Sequence, residues 1–387
     1  MQGWREEMED AHLALPDFDP ARRLSLFGVF DGHGGAAVAS IVADRLAREL
    51  KGLPAYQRGD YSQALSQAFL GFDEYFKSPK GRKEVLAQSS SGEGPEGMGS
   101  TAVVALLEGG PEPRLLVANA GDSRCVLISG NDAVEMSLDH SPTLPQERRR
   151  ILQAGGFVNG EGRVNGNLNL SRALGDLFYK RNRKLKPEEQ LISGKPDLRS
   201  RKLGANDRFL VLGCDGVWER ATSQGVVNAL LKLLPRKDHR PLTLSRTCGL
   251  FLDANLSKNP VKTQGLGCDN MTLMLVDLQS GAVPAAEPAG SAASQLPLQA
   301  PGALGSGPPS GAASPAQAVR TAAPAGSAAF QIFSQAPGAP GSGPPFGAAL
   351  PAQASPAAPV PVPAAQARGR RPAAGLGLGT LRLARPW

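Results

Sequence analysis

Two short blocks hold most of the residues that could do chemistry. One is Gly3-Trp4-Arg5-Glu6-Glu7-Met8-Glu9-Asp10-Ala11-His12, which sets a guanidinium beside four carboxylates and an imidazole. The other is Phe30-Asp31-Gly32-His33-Gly34-Gly35, where the apolar run 24–30 stops at a carboxylate and an imidazole among glycines. Glycine tolerates unusual backbone angles, and loops at strand ends commonly carry binding residues. A carboxylate and an imidazole in such a place suit a hard cation and a proton donor. Asp122, Asp215 and Asp269 also stand at the edges of apolar runs. A lone Asp there usually only forms a turn. Four of them can converge at one end of a sheet, where they repel unless a cation compensates them. All-oxygen ligation points to Mg²⁺ or Mn²⁺; the four histidines and four cysteines are too scattered for zinc.

The elements that must position these residues are legible in outline. Short aliphatic runs at 24–30, 101–107, 114–119, 124–129, 208–213 and 271–277 read as strands. Helical periodicity runs through 36–50, 61–76, 144–154, 223–234 and 242–255; Val38, Ile41, Val42, Leu46 and Leu50 make one stripe, and Thr222 is placed to cap a start. Strands come in hairpin-like groups with helices between them, which favours α+β with antiparallel sheets over βαβ winding.

Composition divides the chain. Residues 1–280 have enough apolar content for a large core. Residues 281–387 are mostly Ala, Pro, Gly and Ser and are expected to be a disordered tail. Within the tail, 286–318 and 322–354 align at an offset of 36, sharing PAGSAA, QAPGA and GSGPP. Each unit lacks an apolar face to stack, so a duplicated linker is the reading rather than a solenoid. The net charge of +7 is mostly the tail's, since that segment holds six arginines and the single acid Glu287. The remaining part is close to neutral, which argues against nucleic acid as the partner. Its basic runs Arg148-Arg149-Arg150 and Lys180-Arg181-Asn182-Arg183-Lys184 read as solvated faces or as attraction for phosphorylated substrates. No CxxC pattern, apolar span of membrane length or myristoylation pattern is present. Reduced thiols, no membrane partner, and a cytoplasmic or nuclear location are expected, with a monomer as the default state.

Seven motifs in order carry a resemblance. They are the 3–12 block, the Asp-Gly-His-Gly-Gly turn, Gly99-Ser100-Thr101-Ala102, Ala118-Asn119-Ala120-Gly121-Asp122-Ser123-Arg124, Leu170-Ser171-Arg172-Ala173-Leu174-Gly175-Asp176, Cys214-Asp215-Gly216-Val217-Trp218 and Cys268-Asp269-Asn270-Met271-Thr272. Together they resemble the metal-dependent serine/threonine protein phosphatases of type 2C (the PPM family) over residues 3 to about 278. The resemblance implies two packed antiparallel sheets flanked by helix pairs, a four-layer αββα sandwich. It implies phosphoserine and phosphothreonine hydrolysis in proteins by two Mn²⁺ or Mg²⁺ ions, with metal-bound water as nucleophile. By the family pattern Asp31 bridges the ions, Asp215 and Asp269 complete one, and Glu9 with the Gly32 carbonyl completes the other. Asp10 resembles the carboxylate that orients water, Arg5 the phosphate-binding arginine, and His33 the general acid. Asp122, with Glu219, resembles a third and weaker metal site. Glu219 stands where the family usually has Asp, and Ser141 where it commonly has Lys. Family members usually have a strand upstream of this chain's first residues, so one edge strand is expected to be missing. The stretch from about 157 to 198 corresponds to a variable flap expected to set substrate preference. Two other classes remain open on sequence grounds: a pseudophosphatase that only binds, and a scaffold working through its tail.

Overall fold

The apolar runs become strands because each can bury both of its faces. In β2 (Leu24–Phe30), Leu24, Leu26 and Phe30 face one core while Phe27 and Val29 face another. This two-residue alternation is what a strand sandwiched between layers requires. The computed structural model describes residues 1–234 and 243–279. The expected tail and its repeat, and His239, lie outside the described residues.

In chain order the strands are β1 (Ala11–Asp19), β2, β3 (Gly32–His33), β4 (Gly99–Ser100), β5 (Ala102–Glu108), β6 (Arg114–Ala120), β7 (Arg124–Ser129), β8 (Asp132–Glu135), β9 (Leu174–Gly175), β10 (Asp197–Lys202), β11 (Asp207–Gly213) and β12 (Leu273–Asp277). The helices are α1 (Ala37–Gly52), α2 (Pro54–Gln57), α3 (Tyr61–Lys77), α4 (Pro79–Gln88), α5 (Pro145–Gln153), α6 (Asp215–Trp218), α7 (Ser223–Leu233), α8 (Leu244–Asn255) and α9 (Pro260–Thr263). One antiparallel sheet runs β1-β2-β5-β6-β10 and a second runs β12-β11-β7-β8. α1 and α3 cover the outer face of the first sheet; α7 and α8 cover the second. The expected α+β sandwich of packed antiparallel sheets with flanking helix pairs is therefore what the chain forms. No described helix is long and apolar enough to cross a membrane.

Six strand runs and five helix runs appear within a few residues of where periodicity places them. β1, β8 and β10 do not announce themselves. β10 reads Asp-Leu-Arg-Ser-Arg-Lys, and β8 has four residues; both are sheet edges, where charge and shortness discourage stray pairing. The Thr222 cap forms as expected, its hydroxyl accepting the Gly225 amide at 3.2 Å.

Residues 157–192 fold against α5 around a small core of Ile151, Val164, Leu170, Ala173 and Ile192. Glu147 sits beneath it, 2% exposed, accepting from Arg172 Nη2 and Ser171 Oγ, each at 2.7 Å, and from Arg150 Nη1. Burial pushes the Glu147 carboxyl up, but the hydrogen bond from Arg172 and the field of Arg150 outweigh it and hold the group at about 2, against an ordinary 4.5. A carboxyl depressed in the folded state stabilises the fold above its unfolded pKa and loses that contribution as pH falls through the folded one. Stability should thus drop by roughly 3 kcal/mol between about pH 4.5 and 2 through this group alone. Denaturant melts of wild type and Glu147→Gln across that window check it. The variant should be weaker at pH 7 by about 3 kcal/mol or more, and its acid loss should be shallower.

Candidate metal centre

The sheets deliver the carboxylates to one end of the sandwich. Asp31 follows the end of β2, Asp122 follows β6, and Asp215 follows β11 as the first residue of α6. Asp269 precedes β12, which runs antiparallel to β11, so it arrives at the same end. Asp31 is fixed by its backbone: its amide donates to Thr101 Oγ1 at 3.1 Å and its carbonyl accepts the Thr101 amide at 2.9 Å. Ser123 Oγ lies 2.7 Å from the same Thr101 hydroxyl, tying the loop of Asp122 to that of Asp31.

Carboxylate oxygens of Asp31, Asp122 and Asp215 come within 4.8 Å of one another. Burial and then the neighbouring carboxylates Asp10, Asp215 and Asp122 push Asp31 well above the ordinary carboxylate range. Burial followed by Asp215 raises Asp122 to about 7, and burial followed by Asp269 raises Asp215. Acids so placed hold protons unless positive charge arrives. Asp10 lies behind them, its Oδ2 accepting from Thr272 Oγ1 at 2.7 Å while buried Oδ1 has no hydrogen-bond partner. Burial raises Asp10 to about 6. Such a donor set, hard oxygens with an orphaned carboxylate oxygen behind them, fits Mg²⁺ or Mn²⁺. Cys214 also approaches Asp10 and Asp31, but burial and then Asp10 hold its thiol far up and protonated. Its sulfur accepts the Thr272 amide at 3.1 Å and serves packing.

A cleft of about 130 Å³ opens over the carboxylates, lined by Arg5, Glu9, Gly32, His33, Asp31, Asp122, Asp215 and Asp269. Every ligand expected for the two-metal core, with Asp122 and the two residues Arg5 and His33, thus meets here, with Asp10 one layer back. Glu219 is not among the residues lining this cleft; one of its carboxylate oxygens accepts the Gly267 amide at 2.5 Å, and burial followed by the field of Asp215 raises it.

His33 lies on the short strand β3, and its Nε2 is 2.8 Å from Oδ2 of Asp176, itself 2% exposed. Burial lowers the imidazole, but the charge and hydrogen bond of Asp176 outweigh it and leave His33 raised. Gly99 makes this contact possible, because a Cβ there would stand 2.4 Å from Asp176 Oδ2 and 2.5 Å from His33 Nε2. Arg5 is 61% exposed and its Nη2 rests on Asp269 Oδ2 at 2.6 Å. Glu9 is placed by Asn270, whose Oδ1 accepts the Glu9 amide at 2.8 Å while its Nδ2 donates to the carbonyls of Gln2 and Glu7.

Sequence reasoning missed Thr101, Asp176 and Asn270 as the residues that hold Asp31, His33 and Glu9. All three lie inside the quoted motifs. Their side chains carry positions rather than reactive charge, and long-range pairing is invisible to spacing.

The chain matches the family model described as "Protein phosphatase 2C" over residues 1–246. It is 45% identical over 279 residues to "Probable protein phosphatase 2C 2" of Paramecium tetraurelia, covering 72% of this chain and 90% of that protein. It is 40% identical over 314 residues to "Probable protein phosphatase 2C 58" of Oryza sativa subsp. japonica, covering 72% of this chain and 82% of the relative. The solved "phosphatase from a pathogenic strain Toxoplasma gondii" superposes with a TM-score of 0.56 at 26% identity, over 71% of this chain and 89% of that one. With the fold and the ordered motifs agreeing over the same residues, this chain belongs to the protein phosphatase 2C family of metal-dependent serine/threonine phosphatases.

Proposed function

We propose that the chain hydrolyses phosphoserine and phosphothreonine in proteins at two Mn²⁺ or Mg²⁺ ions held by this cleft. Asp31 would bridge them, Asp215 and Asp269 would complete one, and Glu9 with the Gly32 carbonyl the other. The observation that carries the reading is the convergence of Asp31, Asp122 and Asp215 within 4.8 Å, each raised by burial and then by a neighbouring carboxylate. Asp122, with Glu219, would serve a third, weaker position beside them. When bound, two such cations polarise a water for attack and offset charge on the phosphoryl group.

The chain's own residues supply the rest. Arg5 can leave Asp269 and turn its guanidinium fork to phosphate oxygens; its exposure leaves it free to swing. Asp10 has one oxygen fixed by Thr272 and one left to orient water. His33, gripped at Nε2 by Asp176 and favoured in its protonated form, has Nδ1 left to protonate the departing serine or threonine oxygen. Leu170 and Asn169 bring the stretch from about 157 to 198 to the rim, which supports its role in substrate preference.

The test is phosphopeptide hydrolysis by the full chain against added Mn²⁺ and excess chelator. Activity should rise saturably with Mn²⁺ and fall to background when the metal is removed. Turnover that persists in chelator would sink the reading.

A further inference from the structure

Apart from the metal cleft, the described residues enclose a larger cavity of about 600 Å³ between α3, α4 and the segment 177–190. We propose that it docks an acidic stretch of the phosphoprotein substrate, a run of Asp or Glu remote from the scissile phosphate. This rests on the phosphatase reading above.

The floor is rigid and internally neutral. Lys180, buried, donates to Asp73 Oδ2 at 2.6 Å and to the Ala173 carbonyl at 2.7 Å, and Asp73 Oδ1 accepts the Gly175 amide at 2.9 Å. Around it, Lys77 pairs with Glu74 and Arg82 with Glu96. Each of the cavity's three acids is thereby spoken for. Arg181 and Arg183 are left over: both are exposed, and neither meets a carboxylate among the described residues. Arg181 lies over the Phe178 ring, its Cζ 4.7 Å from the centroid, a contact that anchors the guanidinium at the rim.

The rim itself is pre-shaped. Buried Gln190 accepts the Asn182 amide and donates to the carbonyls of Asn182 and Leu185, closing the 182–190 loop on itself. A ligand therefore meets a fixed loop and a lining with excess positive charge whose own acids are all paired, since Glu188 and Glu189 of the loop are not among the lining residues, so little ordering cost opposes binding. The volume lies in the range of binding cavities, yet the walls are ionic, which selects charged side chains over apolar ones. Two uncompensated guanidiniums select carboxylates. The cavity also adjoins the reaction. Gly175, held by Asp73, precedes Asp176, which grips His33, so a chain seated here lies beside the flap that borders the metal cleft. The basic run 180–184 thus divides: Lys180 is structural, while Arg181 and Arg183 remain available.

The experiment uses the full chain with Mn²⁺, wild type and an Arg181→Glu/Arg183→Glu double variant. Substrates are a phosphothreonine peptide with a remote cluster of Glu, the same peptide with Ala there, and p-nitrophenyl phosphate. In wild type the Glu cluster should lower KM about tenfold with kcat unchanged. The double variant should lose that preference and keep its rate on p-nitrophenyl phosphate. Fluorescence anisotropy with the Glu peptide lacking phosphate gives a second reading that needs no catalysis. It should bind wild type, release at about 0.5 M salt, and fail to bind the double variant. Equal affinity for both proteins, or a KM preference that survives charge reversal, overturns the proposal. Binding through these arginines in a chain that hydrolyses neither peptide overturns the phosphatase reading and leaves the site standing.

Discussion

Asp31→Asn is expected to lower kcat/KM on phosphopeptides by on the order of 10³-fold or more, about 4 kcal/mol of transition-state stabilisation. The amide is nearly isosteric. Both hydrogen bonds that fix this position run through the Asp31 backbone to Thr101, so the loop should keep its shape. What disappears is the negative charge at the centre of the cluster. The same change should stabilise the metal-free protein, because burial and four neighbouring acids disfavour an ionised Asp31. Wild type should gain about 2.7 kcal/mol of stability from Mn²⁺ at a hundredfold excess over its dissociation constant. The variant should melt higher without metal and gain far less from it. Thermal melts with and without Mn²⁺, beside the activity assay, separate this from simple misfolding. A variant that stays active, or whose melting temperature still responds fully to Mn²⁺, refutes Asp31 as a ligand.

His33→Gln should cost about 10² to 10⁴-fold in kcat on phosphoserine peptides. A serine alkoxide leaves poorly without a proton. p-Nitrophenolate leaves readily, so p-nitrophenyl phosphate should lose much less. Asp176→Asn should show the same pattern more mildly, since it leaves the imidazole in place and removes what keeps it protonated. Its loss should grow with rising pH, because a raised pKa keeps the acid form present to higher pH and the variant gives that up. Equal losses on both substrates would assign His33 to positioning the site and not to proton transfer.

Much of this was readable in the residues, and the limits have physical causes. β2, β5, β6, β7 and β11 show because interior strands bury side chains on both faces. β1 hides, since Pro16 and three charged or polar positions interrupt it; its first residues also read as part of a chemical block. The carboxylates were legible because an Asp ending an apolar strand is a local pattern. Glu219 differs: only the resemblance suggested it, and the amide of Gly267 that its carboxylate accepts lies 48 residues away, beyond any local pattern. The Gly99 contact required three segments, and no local window contains them.

Asn270 joins the first ten residues to the last strand. It holds Glu9, Glu7 and Gln2 together, while the Trp4 amide donates to the Cys268 carbonyl at 2.8 Å. On a ribosome adding about 5–20 residues per second, Glu9 emerges early and waits roughly a quarter of a minute to a minute for the residue that seats it. A nascent chain can therefore build both sheets' inner strands and still be unable to dephosphorylate anything. Activity can begin only after Asn270, 261 residues beyond Glu9, has left the ribosome, which keeps a chain that lacks it from acting on whatever lies beside the exit tunnel.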